Sequence, residues 1–378
     1  MKEKALQLIR KVKLQTRIIL AITVILLLII LIQGVILKTG AVSLPEQTEA
    51  LRWSEKKDAA QETLFFSKNA AIEVQNIEQL RYNINKSLAQ NSIVTEDESI
   101  RLYLDSYCAF GETQLSYNRK QANVNVIAVS GDFFEFHPQK VVYGSLFKSS
   151  DIMDDYCILD EETAWYLFGS SDIVGQTIMY QGIPITVMGV YSREESDLLT
   201  MAGSREMTVF LPYSLVNRKE GQWNIEVYEI VMPDSVKGFA KGILSQNLPV
   251  GEEQCILLEN SNRFTYSHYI ELWKNRKEFS MKTNDIVFPY WENIARVKEQ
   301  KLMEVAMIQL LLIAILGLMW FIILLRFLVR HKPTKETFVR IGDFIDSRIR
   351  KQKTANQRNK RGKKDKKNEC ADAQKEEK

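Results

Sequence analysis

The 378-residue chain is poor in the residues that build most small-molecule chemistry: four cysteines, three histidines, eight prolines and 17 glycines. Four cysteines cannot staple a disulfide scaffold. Cys108, Cys157 and Cys255 fall in the middle of the chain and Cys370 near its end, so at most one bridge can form among the three, Cys108 to Cys157 being possible. Buried free thiols are the expected state. Scarce proline and glycine exclude collagen-like and low-complexity chains. No G-x-x-x-x-G-K-[ST] run exists, so the chain has no P-loop of its own and any ATP is hydrolysed by another subunit. His137, His268 and His331 lie far apart and outside any H-E-x-x-H spacing, and are expected to pack or be solvated rather than ligate zinc. The cluster Asp151, Asp154, Asp155, Asp160, Glu161 and Glu162 lacks the glycine and the register of an EF-hand and reads as a capped, solvated turn. No G-x-S-x-G elbow is present. Phe133, Phe134, Phe136, Trp165, Tyr166 and Phe168 are expected in a core. The expectation is therefore a non-enzyme with no catalytic, cofactor-binding or metal-ligating residue, no cofactor and no nucleic-acid partner.

Two long stretches have no charge at all. Residues 18–37 (IILAITVILLLIILIQGVIL) carry only Thr23 and Gln33 as strongly polar side chains, and residues 305–325 (VAMIQLLLIAILGLMWFIILL) only Gln309. Each is long enough to cross a bilayer as a helix. Charge is distributed around them unevenly. Residues 1–17 hold six basic side chains against one acidic, and residues 326–378 hold eighteen against eight. Residues 38–304 are left with 26 basic and 38 acidic side chains. The positive-inside rule then places 1–17 and 326–378 in the cytoplasm and 38–304 outside a plasma membrane. A cleaved signal peptide is the alternative for the first run, although no A-x-A site follows it.

Within the outer region, the proline- and glycine-free stretch 46–91 repeats apolar residues near every 3.5 positions (Ala60, Leu64, Ala71, Val74, Ile77, Leu80, Ile84, Leu88), which predicts one long helix needing a partner. Residues 290–304 can run unbroken into the second span as a stalk of about 22 Å. The two stalks are expected to pair near the membrane. Residues 124–213 alternate like short strands. A strand at 124–130 stops at Gly131-Asp132, Asp160 caps a helix that Gly169 ends, and strands 176–180 and 183–190 meet at a Gln181-Gly182 hairpin. A further strand is expected at 224–232. Beyond the second span, Phe338, Ile341, Phe344, Ile345 and Ile349 recur at helical spacing, and 351–378 is basic and nearly free of apolar residues, which reads either as a solvated tail that sets topology or as one attracted to anionic lipid headgroups.

The runs NVNVIAVSGDFFEF, VVYGSLFKSSD, CILDEETAWYLFGSSDIVGQTIMYQGIPITVMGV and VFLPYSL together resemble the extracytoplasmic core domain of MacB/FtsX-like ABC permeases. The matching features are Ser130 to Phe134, Gly144 ahead of Phe147 and Asp151, Leu167 to Gly169, Val174 to Ile178, Thr186 to Val190, and Phe210-Leu211-Pro212. The resemblance implies an α+β extracytoplasmic core domain, which with the stalks and charge-free runs read above gives an α+β domain on helical stalks with two transmembrane helices. It divides the chain into a cytoplasmic segment 1–17, a span 18–37, a stalk with the start of the outer domain at 38–123 and a MacB-like core at 124–264. A return stalk at 265–304, a span at 305–325, an amphipathic cytoplasmic helix at 326–350 and a disordered basic tail at 351–378 follow. The family usually places three helices after the outer domain, so this chain looks like a reduced relative. The implied role is a non-catalytic permease-like subunit of an export or mechanotransmission complex. Its expected partners are an ABC ATPase, a full-length permease, further copies of itself, and membrane lipids through the tail. The competing reading is a membrane-anchored binding or scaffold protein with no transport coupling.

Overall fold

A computed structural model describes residues 14–54, 58–94, 101–193, 206–221, 223–275, 282–283 and 285–330. The expected amphipathic helix and tail after Arg330, with His331 and Cys370, lie outside these residues. A helix α1 (Leu14–Val42) opens the described chain and is followed, past a 3-10 turn at Pro45–Gln47, by a short α2 (Glu49–Trp53). Then come β1 (Ala59–Phe66), α3 (Val74–Gln90), the long hairpin β2 (Leu104–Tyr117) and β3 (Lys120–Gly131), α4 (Phe133–Phe136) and β4 (Lys140–Gly144). The middle holds β5 (Tyr156–Asp160), α5 (Glu161–Phe168), β6 (Thr177–Tyr180), β7 (Ile183–Ser192), β8 (Thr208–Pro212) and α6 (Tyr213–Glu220). The rest is β9 (Val227–Pro233), α7 (Phe239–Gln246), β10 (Cys255–Glu259), α8 (Tyr266–Lys274), the ribbon β11 (Lys282–Thr283) and β12 (Ile286–Val287), and α9 (Tyr290–Arg330).

The ten larger strands form one mixed sheet in the order β10-β1-β9-β2-β3-β8-β5-β7-β4, with β6 bridging β2 and β7. The sheet separates two cores. On one face Leu64, Phe66, Tyr228 and Ile230 meet Ile77, Leu80, Ile84 and Leu88 of α3, Leu167 of α5, Leu215 of α6 and Leu244 of α7. On the other face Phe65, Cys108, Ile127, Ile158, Phe210 and Val227 meet Phe133, Ile286, Phe288 and Trp291. The return segment of the chain therefore closes the second face itself.

The single helix expected over 46–91 does not form. Its second half is α3, but Ala60 and Leu64 belong to β1, a strand flanked by β9 and β10. Residues four apart share a face in a helix and in a strand alike, so that spacing could not tell the two apart. The flanking β-branched and aromatic residues of TLFF decided it. Locally encoded features formed as expected. The Asp160 carboxylate accepts from the Thr163 amide at 2.8 Å, Gly169 ends α5 at φ 78°, and Gln181 and Gly182 turn the β6–β7 hairpin at φ 48° and 78°. Phe133 and Phe136 are buried, whereas Trp165 and Tyr166, expected in the core, are 59% and 52% exposed. They lie on the outer side of α5, whose inner side is supplied by Thr163, Ala164 and Leu167. All three described cysteines are free and buried. Cys108 points to one face of the sheet and Cys157 to the other, which prevents a bridge between them.

The chain divides into two units, residues 1–310 and 311–378. In the first, α1 runs beside the membrane-proximal part of α9. Gly34 lies against Gln309, and at Gly40 an added Cβ would stand 2.7 Å from Leu302. The described part of the second unit is the remainder of α9. Both α1 and α9 are long and apolar enough to cross a membrane.

A buried joint between the return helix and the sheet

The start of α9 carries a buried polar cluster centred on Arg263. Pro289 fixes the entry into the helix, which places Trp291, Glu292, Ala295, Glu299, Leu302 and Met303 on one buried stripe at spacings of three and four. Trp291 is seated in the sheet's second core. Its ring packs 4.4 Å from the His137 ring and 6.0 Å from Phe133, measured between centroids. His137 in turn holds the Glu229 carboxylate of β9 at 2.5 Å, with both side chains almost fully buried. Glu229 also accepts from the Thr63 hydroxyl, and Asn260 donates to Thr63 at 3.1 Å. A polar row thus crosses the sheet beneath the helix.

One turn further along the helix, Arg263 enters from the segment between β10 and α8. It is 1% exposed. Its guanidinium donates to Glu292 at 2.7 and 2.9 Å, to Glu299 at 2.9 and 3.0 Å, and to Gln47 at 3.1 Å. These five contacts use the full donor set of an arginine. Glu292 also pairs with Arg296 at 3.2 Å, and His268 of α8 hydrogen-bonds the second oxygen of Glu299. The Arg296 guanidinium lies 3.9 Å from the Phe288 ring centroid. Burial raises the Glu292 carboxyl above its ordinary range, against the pull of Arg263 and Arg296. Burial acts in the same direction on Glu299, but the Arg263 and His268 partners outweigh it and hold that carboxyl below its ordinary range.

The cluster continues to the edge of the membrane segment. The Tyr266 hydroxyl donates to Gln309 Oε1 at 2.5 Å, while Gln309 Nε2 donates to the Ile30 carbonyl of α1 at 2.9 Å. Around it Leu37, Tyr269, Leu302, Met303 and Ala306 form a small apolar cluster. Gln309, the costly polar residue of the second run, is thereby satisfied on both ends of its amide.

This arrangement is a clamp rather than a reaction centre. Every donor of Arg263 is committed, and the carboxylates it holds are closed off from solvent. Among the described residues, no group of three or more His, Cys, Asp and Glu side chains could hold a metal ion. The acidic residues of the cluster at 151–162 are dispersed to separate structural tasks. Asp151 accepts from the Lys148 amide, Asp154 pairs with Arg218 at 3.0 Å, Asp160 caps α5, and Glu162 pairs with Arg193. Residue patterns alone did not single out Arg263, Glu292 or Glu299. Two glutamates seven apart with Arg296 between them were a visible sign, since that spacing puts all three near one helix face. Arg263, 29 and 36 residues away, had no local mark.

A family model described as the MacB-like periplasmic core domain matches residues 18–237. The chain belongs to that family. Its relatives include the macrolide export ATP-binding/permease protein MacB 2 of Aeromonas hydrophila, 29% identical over 141 residues, which covers 35% of this chain and 21% of that protein. The corresponding MacB of Chromobacterium violaceum is 28% identical over 124 residues, 32% of this chain and 19% of that one. The chain thus spans about a fifth of the length of these curated relatives. Among solved structures, the periplasmic region of MacB from Actinobacillus actinomycetemcomitans matches with a TM-score of 0.38 and 15% identity, covering 58% of this chain and 94% of that one. The extracellular domain of the noncanonic ABC-type transporter YknZ from Gram-positive bacteria matches at 0.36 and 14%, covering 53% and 100%. Family membership together with the two apolar helices makes this a membrane protein with an extracytoplasmic segment.

Proposed function

We propose that the chain is a non-catalytic, permease-like subunit of an ABC-type export or mechanotransmission assembly, in which a partner ATPase moves the membrane helices and the outer sheet receives the movement. The observation that carries this reading is α9. It is one unbroken helix of 41 residues whose first turn is seated in the sheet core and whose apolar half is long enough to span a bilayer. From Trp291 to Val305 is about 21 Å of helix at 1.5 Å per residue. A displacement at the membrane end is delivered to Trp291 because Arg263 ties both Glu292 and Glu299 to the body of the domain. Rotating the helix without the sheet would strand buried charges.

The orientation belongs to the same proposal. The basic excess of 1–17 and 326–378 places these segments in the cytoplasm, and 38–304 outside. The two apolar helices among the described residues cannot enclose a pathway by themselves, so in this proposal the subunit acts as an oligomer or beside a full-length permease. The test is purification in mild detergent from the native cell. Recovery of an ABC ATPase subunit, with an ATP hydrolysis rate that changes when Arg263→Met is introduced, is the expected result. A chain that emerges alone under conditions preserving other membrane complexes contradicts the proposal and favours an uncoupled scaffold.

A further inference from the structure

Beside the joint, the same helix walls a cavity of about 580 Å³ that the clamp leaves open. Its floor is apolar and largely buried: Leu44, Phe110, Ile127, Tyr191, Trp291 and Ile294. Its mouth is basic. Lys140 and Lys301 are exposed, Lys298 is half-buried beside the Ser43 hydroxyl, and none of the three makes an ion pair with a described residue. Arg193 also lines the cavity but is held by Asp160 and Glu162. Glu46 is the one acidic lining residue. The volume lies within the range of small-molecule sites, and an apolar floor with a few convergent charges is their usual chemistry.

The cavity's height above the bilayer narrows the ligand class. Lys301 and Lys298 precede Val305 by four and seven residues, about 6 and 10 Å of helix, which puts them at the outer headgroup layer. A molecule dissolved in the outer leaflet can reach this mouth sideways. Burial lowers the Lys298 ammonium from its ordinary range, and the nearby Glu46 carboxylate, which forms no ion pair with it, opposes that only in part, so an anion brought into direct contact supplies the close charge partner.

We propose that this cavity is a binding site for a single-chain anionic amphiphile, its apolar chain on the Phe110–Ile127–Ile294 floor and its carboxylate or phosphate at Lys298, Lys301 and Lys140. The inference goes beyond the coupling role and rests only on the orientation proposed with it, since neither an ATPase nor a second copy is required for the site to fill.

The test uses the full chain in phosphatidylcholine nanodiscs with a photoreactive, diazirine-bearing myristic acid, and adducts mapped by peptide mass spectrometry. Adducts are expected on the peptides carrying Phe110, Ile127 and Ile294. The double variant Lys298→Gln/Lys301→Gln should lower their yield about tenfold with an unchanged melting temperature, because two charge contacts are removed. Myristic acid should compete and myristyl alcohol should not. Should the double variant melt early, Ile294→Trp, which fills the floor and keeps the charges, must show the same loss. Adducts elsewhere, equal competition by the alcohol, or yields unaffected by both variants overturn the proposal. Phosphatidylglycerol in the disc abolishing the labelling also overturns it, because the lysines then serve a bilayer headgroup.

Discussion

Glu62 sits in the middle of β1, 1% exposed, with one carboxylate oxygen that no hydrogen bond reaches. Burial, reinforced by nearby Glu259, pushes its carboxyl up to about 9. The folded protein therefore keeps a proton that the unfolded chain releases near 4.5. This contribution to stability is complete below that value and is lost as pH rises towards 9. Glu62→Gln should accordingly raise stability by up to about 5 kcal/mol at pH 8 and leave it nearly unchanged at pH 4, read from melting curves across that range. Arg263 behaves in the opposite sense. Arg263→Met takes the shared cation from two buried carboxylates, leaving Glu292 only Arg296 and Glu299 only His268, and should cost about 3–5 kcal/mol, whereas the triple variant with Glu292→Gln and Glu299→Gln should recover most of that loss. Denaturant unfolding of the unsubstituted chain, Arg263→Met, the Glu292→Gln/Glu299→Gln double variant and the triple variant measures the non-additivity. The difference between these residues and Asp160 or Gly169 lies in sequence distance. A cap or a left-handed turn is decided by neighbours within four positions and was legible, while Arg263 finds its carboxylates only after the sheet and α9 have come together.

At the scale of elements, β4, β5, β8 and β10 are runs of five residues too short to show a period, whereas β3, β6, β7 and β9 were readable because alternation and turn residues occur together, as at Gln181-Gly182. The strand β1 was not, because its outer neighbours β9 and β10 lie far along the chain and its apolar spacing also suits a helix. The sheet consequently begins well before residue 124. The charge-free runs were legible as helices long enough to cross a bilayer, with a signal peptide the alternative for the first, because a run of 20 or 21 uncharged residues is visible without any tertiary context. How the first helix approaches the second was less so, because it rests on Gly40. A side chain there meets Leu302, so Gly40→Val should cost about 1–3 kcal/mol by overpacking, and Leu302→Ala in the same chain should restore part of it. A valine at Gly40 that leaves the melting temperature unchanged would show that the helices do not meet at this point.

For the whole molecule, the joint unites features that sequence reading treated separately: a stalk, a sheet and a span. Its polar row and the Trp291 seat make the outer part of α9 a component of the sheet domain rather than a tether hung beneath it. The charge map sets the expected sidedness. A membrane-impermeant thiol reagent should label Gly251→Cys, on an exposed loop, in intact cells and should reach Cys370 only after permeabilisation. The reverse pattern would invert the topology and remove the proposed role. The most direct measurement of the central claim is the distance between spin labels at Lys86→Cys on α3 and Gln300→Cys on α9, both exposed, in a Cys370→Ser chain reconstituted in lipid. If the sheet and the return helix are one body locked by Arg263, pulsed electron paramagnetic resonance gives a single narrow distance that broadens when Arg263→Met is added. A broad distribution with the joint intact, or an equally narrow one without Arg263, contradicts it.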